Sequence, residues 1–187
     1  MFLVILFAIL NFFAAPINAL RPLFVTNYFG GDVLKLGYLV TANSIGLIAG
    51  GFIIGAWGGF RRHVITVLIF LMIQGITVIV FGFTTETLFF LALAMVFISG
   101  LSGSMFRAPL MAILQSTVAK DMQGRVFSLQ FSLGGLMIPL GLAITGPLAD
   151  AIGLRTIWYV CGAVILLISG AAFFSRDLMN IENQKAE

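Results

Sequence analysis

The sequence predicts an all-α membrane protein whose six transmembrane helices form a 3+3 inverted repeat. Three observations predict it. The composition is apolar with few charges, six apolar stretches are each long enough to cross a bilayer, and one glycine pattern occurs twice.

Apolar residues make up 60% of the 187 and charged residues 9%. Soluble domains hold roughly 45–50% and about 25%. The mean hydropathy is +1.13. The net charge of +3 comes from few residues, and no basic stripe of the kind nucleic acid requires is present. The single cysteine, Cys161, lies inside an apolar run and is expected to pack between helices. It forms no internal disulfide, and no residue group has metal-ligand spacing, so neither metal nor cofactor is expected. Met1 leads straight into Phe-Leu-Val-Ile-Leu-Phe without a basic n-region or a small-residue cleavage site. No signal peptide is read there, and the abrupt start suggests part of something longer.

A bilayer core takes about 20 apolar residues per helix. The expected spans are about 2–28, 36–57, 64–83, 87–117, 126–148 and 156–175. Together they make one bundle over 1–176, followed by a charged cytoplasmic tail over 177–187. The first span carries Asn11, Pro16, Asn18, Arg21 and Pro22. The second ends in Gly58-Gly59 and a basic turn, Arg61-Arg62-His63. The third is the cleanest, with Gln74 as its main polar break. The fourth is too long for a straight crossing, and Arg107-Ala-Pro109 is expected to bend it. The fifth follows the polar loop 119–125 and holds Pro139 and Gly141, and the sixth follows Asp150-Ala-Ile-Gly153-Leu-Arg155.

Gly46 and Gly50 are four apart, as are Gly51 and Gly55. This spacing clears a helix face so that another backbone can approach. Each glycine would cost about 1 kcal/mol relative to alanine in a soluble helix. In lipid the backbone stays hydrogen-bonded and glycine serves packing. Gly51→Leu is therefore expected to disrupt the second helix's packing. The pattern GLxxxGxxx(G/D)AxG occurs at Gly46, Gly51, Gly55 and Gly58, and again at Gly141, Gly146, Asp150 and Gly153. Copies one helix triplet apart have opposite topology, which is an inverted repeat of the kind transporters use.

The bias of lysine and arginine gives orientation. From a cytoplasmic start, Arg61, Arg62, Lys120, Arg125, Arg176 and Lys185 fall inside, and Lys35 and Arg155 outside. Both termini are then cytoplasmic.

Intramembrane polar residues are costly and mark pathways or helix contacts. Arg107 either lines a watery cavity, snorkels to the interface or holds helices together. Ser104, Arg107 and Gln115 share one helical face. Asn11 and Asn18 are seven apart with Arg21 one turn on; they contact substrate or bond between helices, and Arg21 anchors at the interface. The candidate cavity set is Asn11, Asn18, Arg107 and, more weakly, Gln115. Gln74 and Gln130 are read as bundle glue. All seven acids lie in loops, at helix ends or in the tail, so no mid-membrane carboxylate offers a proton relay. Gly100-Leu-Ser102-Gly103 matches the GxSG of intramembrane serine proteases, but the only histidine, His63, precedes it at a membrane edge. A nucleophilic serine needs a positioned base, so Ser102 is read as a small residue at a helix crossing.

Three stretches carry a resemblance. Gly51-Phe-Ile-Ile-Gly55-Ala-Trp-Gly58-Gly-Phe-Arg61-Arg62 resembles the G-x-L-x-D-R-x-G-R signature between paired helices. Asp121-Met-Gln-Gly124-Arg125-Val-Phe-Ser resembles the GRVFS start of an eleventh helix, and Pro139 through Arg155 the end of that helix and its outer turn. On these residues the chain resembles the C-terminal half of a major facilitator superfamily (MFS) transporter. It is most similar to the bacterial drug-efflux branch that includes macrolide exporters and the enterobactin exporter. The resemblance implies export of an amphipathic small molecule across a bacterial inner membrane by proton antiport with alternating access. It also implies a cytoplasmic signature loop of Gly51, Gly55, Gly58, Arg61, Arg62, Gly124 and Arg125, whose arginines can cap helix C-termini and interact with lipid head groups or a latch carboxylate. The helix-packing repeat is Gly46, Gly141, Gly146, Asp150 and Gly153. Two departures stand out. Gly55 replaces the signature aspartate, and six helices stand where the family has twelve, which implies a missing N-terminal six-helix half or a second copy as partner. The alternatives are a six-helix scaffold without transport and, remotely, the intramembrane protease.

Overall fold

The structure, a computed structural model, describes residues 12–13, 15–60, 62–118 and 122–174. Asn11, Arg61, Lys120, Asp121, Arg176, Lys185 and the tail 177–187 lie outside the described residues.

The described chain is helical and holds no strand. Its helices are α1 (Arg21–Tyr28), α2 (Val33–Trp57), α3 (His63–Gly82), α4 (Phe89–Thr117), α5 (Gln123–Ile152) and α6 (Leu154–Phe174). A 3-10 turn, Glu86–Leu88, precedes α4. Residues 15–19 are also helical and meet α1 at a bend on Leu20. Pro16 and Pro22 bracket that bend and bring no N–H to the ladder. Five helices among the described residues, α2 to α6, are long and apolar enough to cross a membrane.

Local chemistry sets the ends. Asp32 accepts the Leu34 N–H at 2.8 Å and starts α2, an N-cap worth about 1 kcal/mol. Gly58 ends α2 in the left-handed region at φ +75°, where a glycine costs no Cβ clash. The turn then closes through the Phe60 N–H, which donates to the buried Thr66 hydroxyl at 2.9 Å. α4 runs through Pro109 as one continuous helix. At 29 residues and ~1.5 Å rise each, it exceeds the ~30 Å hydrocarbon core. A helix of that length tilts or projects from the bilayer.

The glycines sort into two kinds. α2 crosses α4 where Gly46 faces the Phe97 carbonyl, Gly50 the Leu101 carbonyl and Gly100 the Asn43 carbonyl, each too closely for any Cβ. The seam is sealed by the Ser104 hydroxyl donating to the Leu47 carbonyl at 2.6 Å and by the Asn43 amide donating to the Val96 carbonyl at 3.3 Å. Gly51 and Gly55 lie on the other side of α2, where an added Cβ would meet nothing within 4 Å. Among the described residues no neighbouring helix packs on Gly51, and the expectation that one does is corrected for this bundle. Positions 46 and 50 share the packed face, and 51 is rotated about 100° from 50.

The two glycine copies behave alike position by position. Gly141, the counterpart of Gly46, also faces a backbone carbonyl, with a Cβ placed 2.9 Å from the Phe12 oxygen. Gly146 is open, as Gly51 is. Gly153 ends its helix at positive φ, as Gly58 does. The third helix of each triplet meets the other directly. A Cβ on Gly75 would lie 3.1 Å from the Gly162 carbonyl oxygen, and one on Gly162 2.9 Å from the Gly75 carbonyl oxygen. Gly82 lies under Trp158 and Tyr159, so α3 and α6 run antiparallel.

The core sits between α1, α3 and α6. Phe24, Phe81 and Trp158 form a triangle of rings with centroids 4.7–5.3 Å apart, and none is more than 2% exposed. Cys161 packs into the same core. Three turns are joined at one end of the bundle. Lys35 donates to the Phe29 carbonyl and pairs with Glu86 at 2.7 Å. Arg155 donates to the Thr84 carbonyl at 3.2 Å and lies 4.2 Å from the Tyr28 ring centroid. Arg155→Gln is expected to lower stability by about 1–2 kcal/mol through loss of that charge-assisted bond and the ring contact. Reversible unfolding in mixed micelles measures it, and no change would leave the tie without energetic weight. α2 and α5 are the least buried of the five spans, and α5 exposes Phe131, Leu136, Leu140 and Ile144.

Candidate functional site

Among the described residues, one cavity of about 220 Å3 brings together side chains from the first span and from α2, α3, α4 and α6. Its polar lining is Asn18, Arg21, Asn43, Gln74, Ser99 and Arg107. Its apolar lining includes Leu47, Leu71, Phe106 and Ile165.

Each polar group reaches the cavity for a local reason. Asn18 and Arg21 flank the bend at Leu20, and an Arg21 Nη donates to Asn18 Oδ1 at 3.3 Å. Arg21 is only 9% exposed, and its Nε has no hydrogen-bond partner among the described residues. Gln74, mid-way along α3, donates to the Ser99 hydroxyl on α4 at 2.9 Å, and its Oε1 is buried without a donor. Asn43 lies one turn before Gly46, so the close α2–α4 crossing brings it to the cavity wall. Arg107 is exposed, with its guanidinium 5.8 Å from the centroid of its neighbour Phe106.

The cavity carries two guanidiniums and no carboxylate among the described residues. The acids that are described act elsewhere. Asp32 caps α2, Glu86 pairs with Lys35, and Asp150 is exposed near the end of α5. No group of three or more potential metal ligands occurs among the described residues.

The sequence-derived set divides. Asn18 and Arg107 line the cavity; Asn11 lies outside the described residues. Gln115 does not line it, because eight residues beyond Arg107 is ~12 Å along the helix. Gln115 is exposed there, and its carbonyl accepts from Gln123. Ser104 is not on a shared polar face with Arg107, since its hydroxyl is spent on α2. Arg21, read as an interface anchor, is buried against the cavity. Gln74 does bond across helices, as glue would, and lines the cavity as well. Gln130 is 1% exposed, and neither amide atom has a partner among the described residues, so no gluing bond is seen. Asn43 and Ser99 were missed; the available signal was a polar residue one turn from a glycine seam.

Ser102 is fully buried, and its hydroxyl donates to the Ile98 carbonyl of its own helix at 2.7 Å. That is a packing serine. Of the signature loop, Arg62 and Arg125 are exposed at the N-terminal ends of α3 and α5, and a Cβ on Gly124 would meet nothing within 4 Å. No capping bond from Arg62 or Arg125 is seen among the described residues, and Arg61 lies outside them.

A bundle of apolar helices, built from two like triplets around a polar cavity, has a known counterpart. The Major Facilitator Superfamily profile matches residues 1–187. The chain belongs to the major facilitator superfamily. This MFS chain is a multi-pass membrane protein. It is 29% identical over 154 residues to macrolide efflux protein A of Streptococcus pyogenes, a match covering 82% of the chain and 38% of that protein. It is 27% identical over 150 residues to the multidrug efflux pump Tap of Mycolicibacterium fortuitum, covering 79% and 36%. The macrolide efflux protein A of Enterococcus faecalis is 29% identical over 127 residues, covering 68% and 39%. The chain thus spans less than two fifths of the length of these curated relatives. No solved structure matches.

Proposed function

We propose that the chain forms half of the pathway of a bacterial plasma-membrane efflux transporter, exporting an amphipathic small molecule by proton antiport with alternating access. The observation that carries this reading is the cavity, a polar patch inside an apolar bundle flanked by aliphatic and aromatic walls. Ligand sites likewise combine apolar walls with placed polar groups that fix orientation. Two relatives named for drug efflux support the direction of transport.

In this reading both termini are cytoplasmic, so the joined turns at Lys35, Glu86 and Arg155 face outward. The least buried helices, α2 and α5, meet a companion six-helix half, on the same polypeptide or a separate one. That half closes the cavity from the far side. It also supplies the proton-binding carboxylate, a group able to bind and release a proton as its surroundings change.

The test is dye efflux from a drug-sensitive bacterial host expressing the chain with a companion half. Arg107→Ala is expected to lower the initial efflux rate at least tenfold at equal membrane abundance, because Arg107 is exposed and contributes little to folding. If efflux never appears with any companion half, or Arg107→Ala leaves it unchanged, the transporter reading fails.

A further inference from the structure

The charge balance of the cavity points to what it holds. Resting on the transporter reading, we infer that this half-site binds an amphipathic anion, with the acidic group of the ligand between Arg21 and Arg107 and its apolar body against Phe106, Leu71 and Ile165.

Arg21 is nine-tenths buried, and its Nε has no hydrogen-bond partner among the described residues. The Arg21 side chain lines the cavity, and a guanidinium there offers an oxyanion charge-assisted bonds. Arg107 adds a second positive charge to the same cavity. Two like charges facing one space repel each other, and a bound anion reverses the sign of that interaction for both. The neutral partners fit the same occupant. Gln74 and Asn43 line the same cavity as neutral amides and suit a hydroxyl or amide on the ligand next to the acid. A positively charged amine finds no carboxylate among the described lining residues and two repelling guanidiniums. The volume of about 220 Å3 is room for a small aromatic acid.

The experiment uses the chain in lipid nanodiscs and three probes of one skeleton: 1-naphthaleneacetate, 1-naphthaleneacetamide and the cation 1-naphthylethylammonium. Isothermal titration is expected to show the acid binding at least tenfold more tightly than the amide, with the ammonium weakest. Arg107→Gln is expected to bring the acid to within about threefold of the amide. Arg107→Lys is expected to retain part of the preference. Because Arg107 is exposed, these variants fold; Arg21→Gln is a secondary test scored only by size-exclusion-validated protein. Equal binding of acid and amide, or a preference for the ammonium, overturns the anion assignment while the cavity stands as a binding site. Failure of all three probes to bind overturns the inference and counts against the cavity itself, an outcome separate from the efflux result above.

Discussion

Gly46→Ala is expected to lower the unfolding free energy by about 2–3 kcal/mol, more than most single methyl additions. The new methyl group would be driven into the Phe97 carbonyl of α4 and would crowd the Leu101 N–H. Neither atom is the free end of a side chain, so the helices themselves must separate. Separation would also stretch the Ser104 and Asn43 bonds that seal the seam. The paired control is Gly51→Ala, where the new methyl meets open space. There alanine is expected to be neutral or to stabilise by up to ~1 kcal/mol through helix propensity. Unfolding in mixed micelles with increasing dodecyl sulfate measures both. Equal behaviour of the two variants would remove the α2–α4 crossing as the reason for the glycine pattern.

Trp158→Ala carries the other large effect. Trp158 is 2% exposed, lies against Phe24 and Phe81, and has Gly82 beneath its Cβ. Truncation leaves a cavity where α1, α3 and α6 meet, and large aromatic truncations of this kind cost about 3–5 kcal/mol. The indole N–H has no hydrogen-bond partner among the described residues. Trp158→Phe therefore breaks no bond and is expected to cost less than half as much. A Trp158→Phe variant as unstable as Trp158→Ala would show that something other than ring packing holds this region.

Much of the architecture was legible because it depends on averages and on spacing. Apolar runs between charged turns mark membrane helices, and Gly58 and Gly153 mark their ends, since only a glycine takes those backbone angles cheaply. Pro109 sits inside a continuous helix. A proline removes one hydrogen bond but need not interrupt a helix held by neighbours. Gly51 misled because two interleaved glycine pairs look alike in sequence, while only a neighbour in space decides which pair is packed. The site was partly legible: intramembrane Asn18 and Arg107 announce themselves by cost. Gln74 and Asn43 did not, because an isolated amide reads the same whether it faces a helix or a cavity. Gln115 failed because angular position on a helical wheel ignores depth along it.

The reciprocal contact of Gly75 and Gly162 has a geometric meaning. At that crossing the two helices are related by a local twofold axis, although Gly75 and Gly162 are not themselves counterparts in the repeat that pairs Gly46 with Gly141. Because α3 and α6 are antiparallel, that axis lies across them, in the plane of the membrane. Turning the bundle over about it exchanges one membrane face for the other. A perfectly symmetric bundle would therefore have no up or down, and its vectorial character resides in what breaks the symmetry. Features that break it include the Lys35–Glu86 and Arg155–Thr84 ties at one end, and Gly55 standing where its counterpart is Asp150.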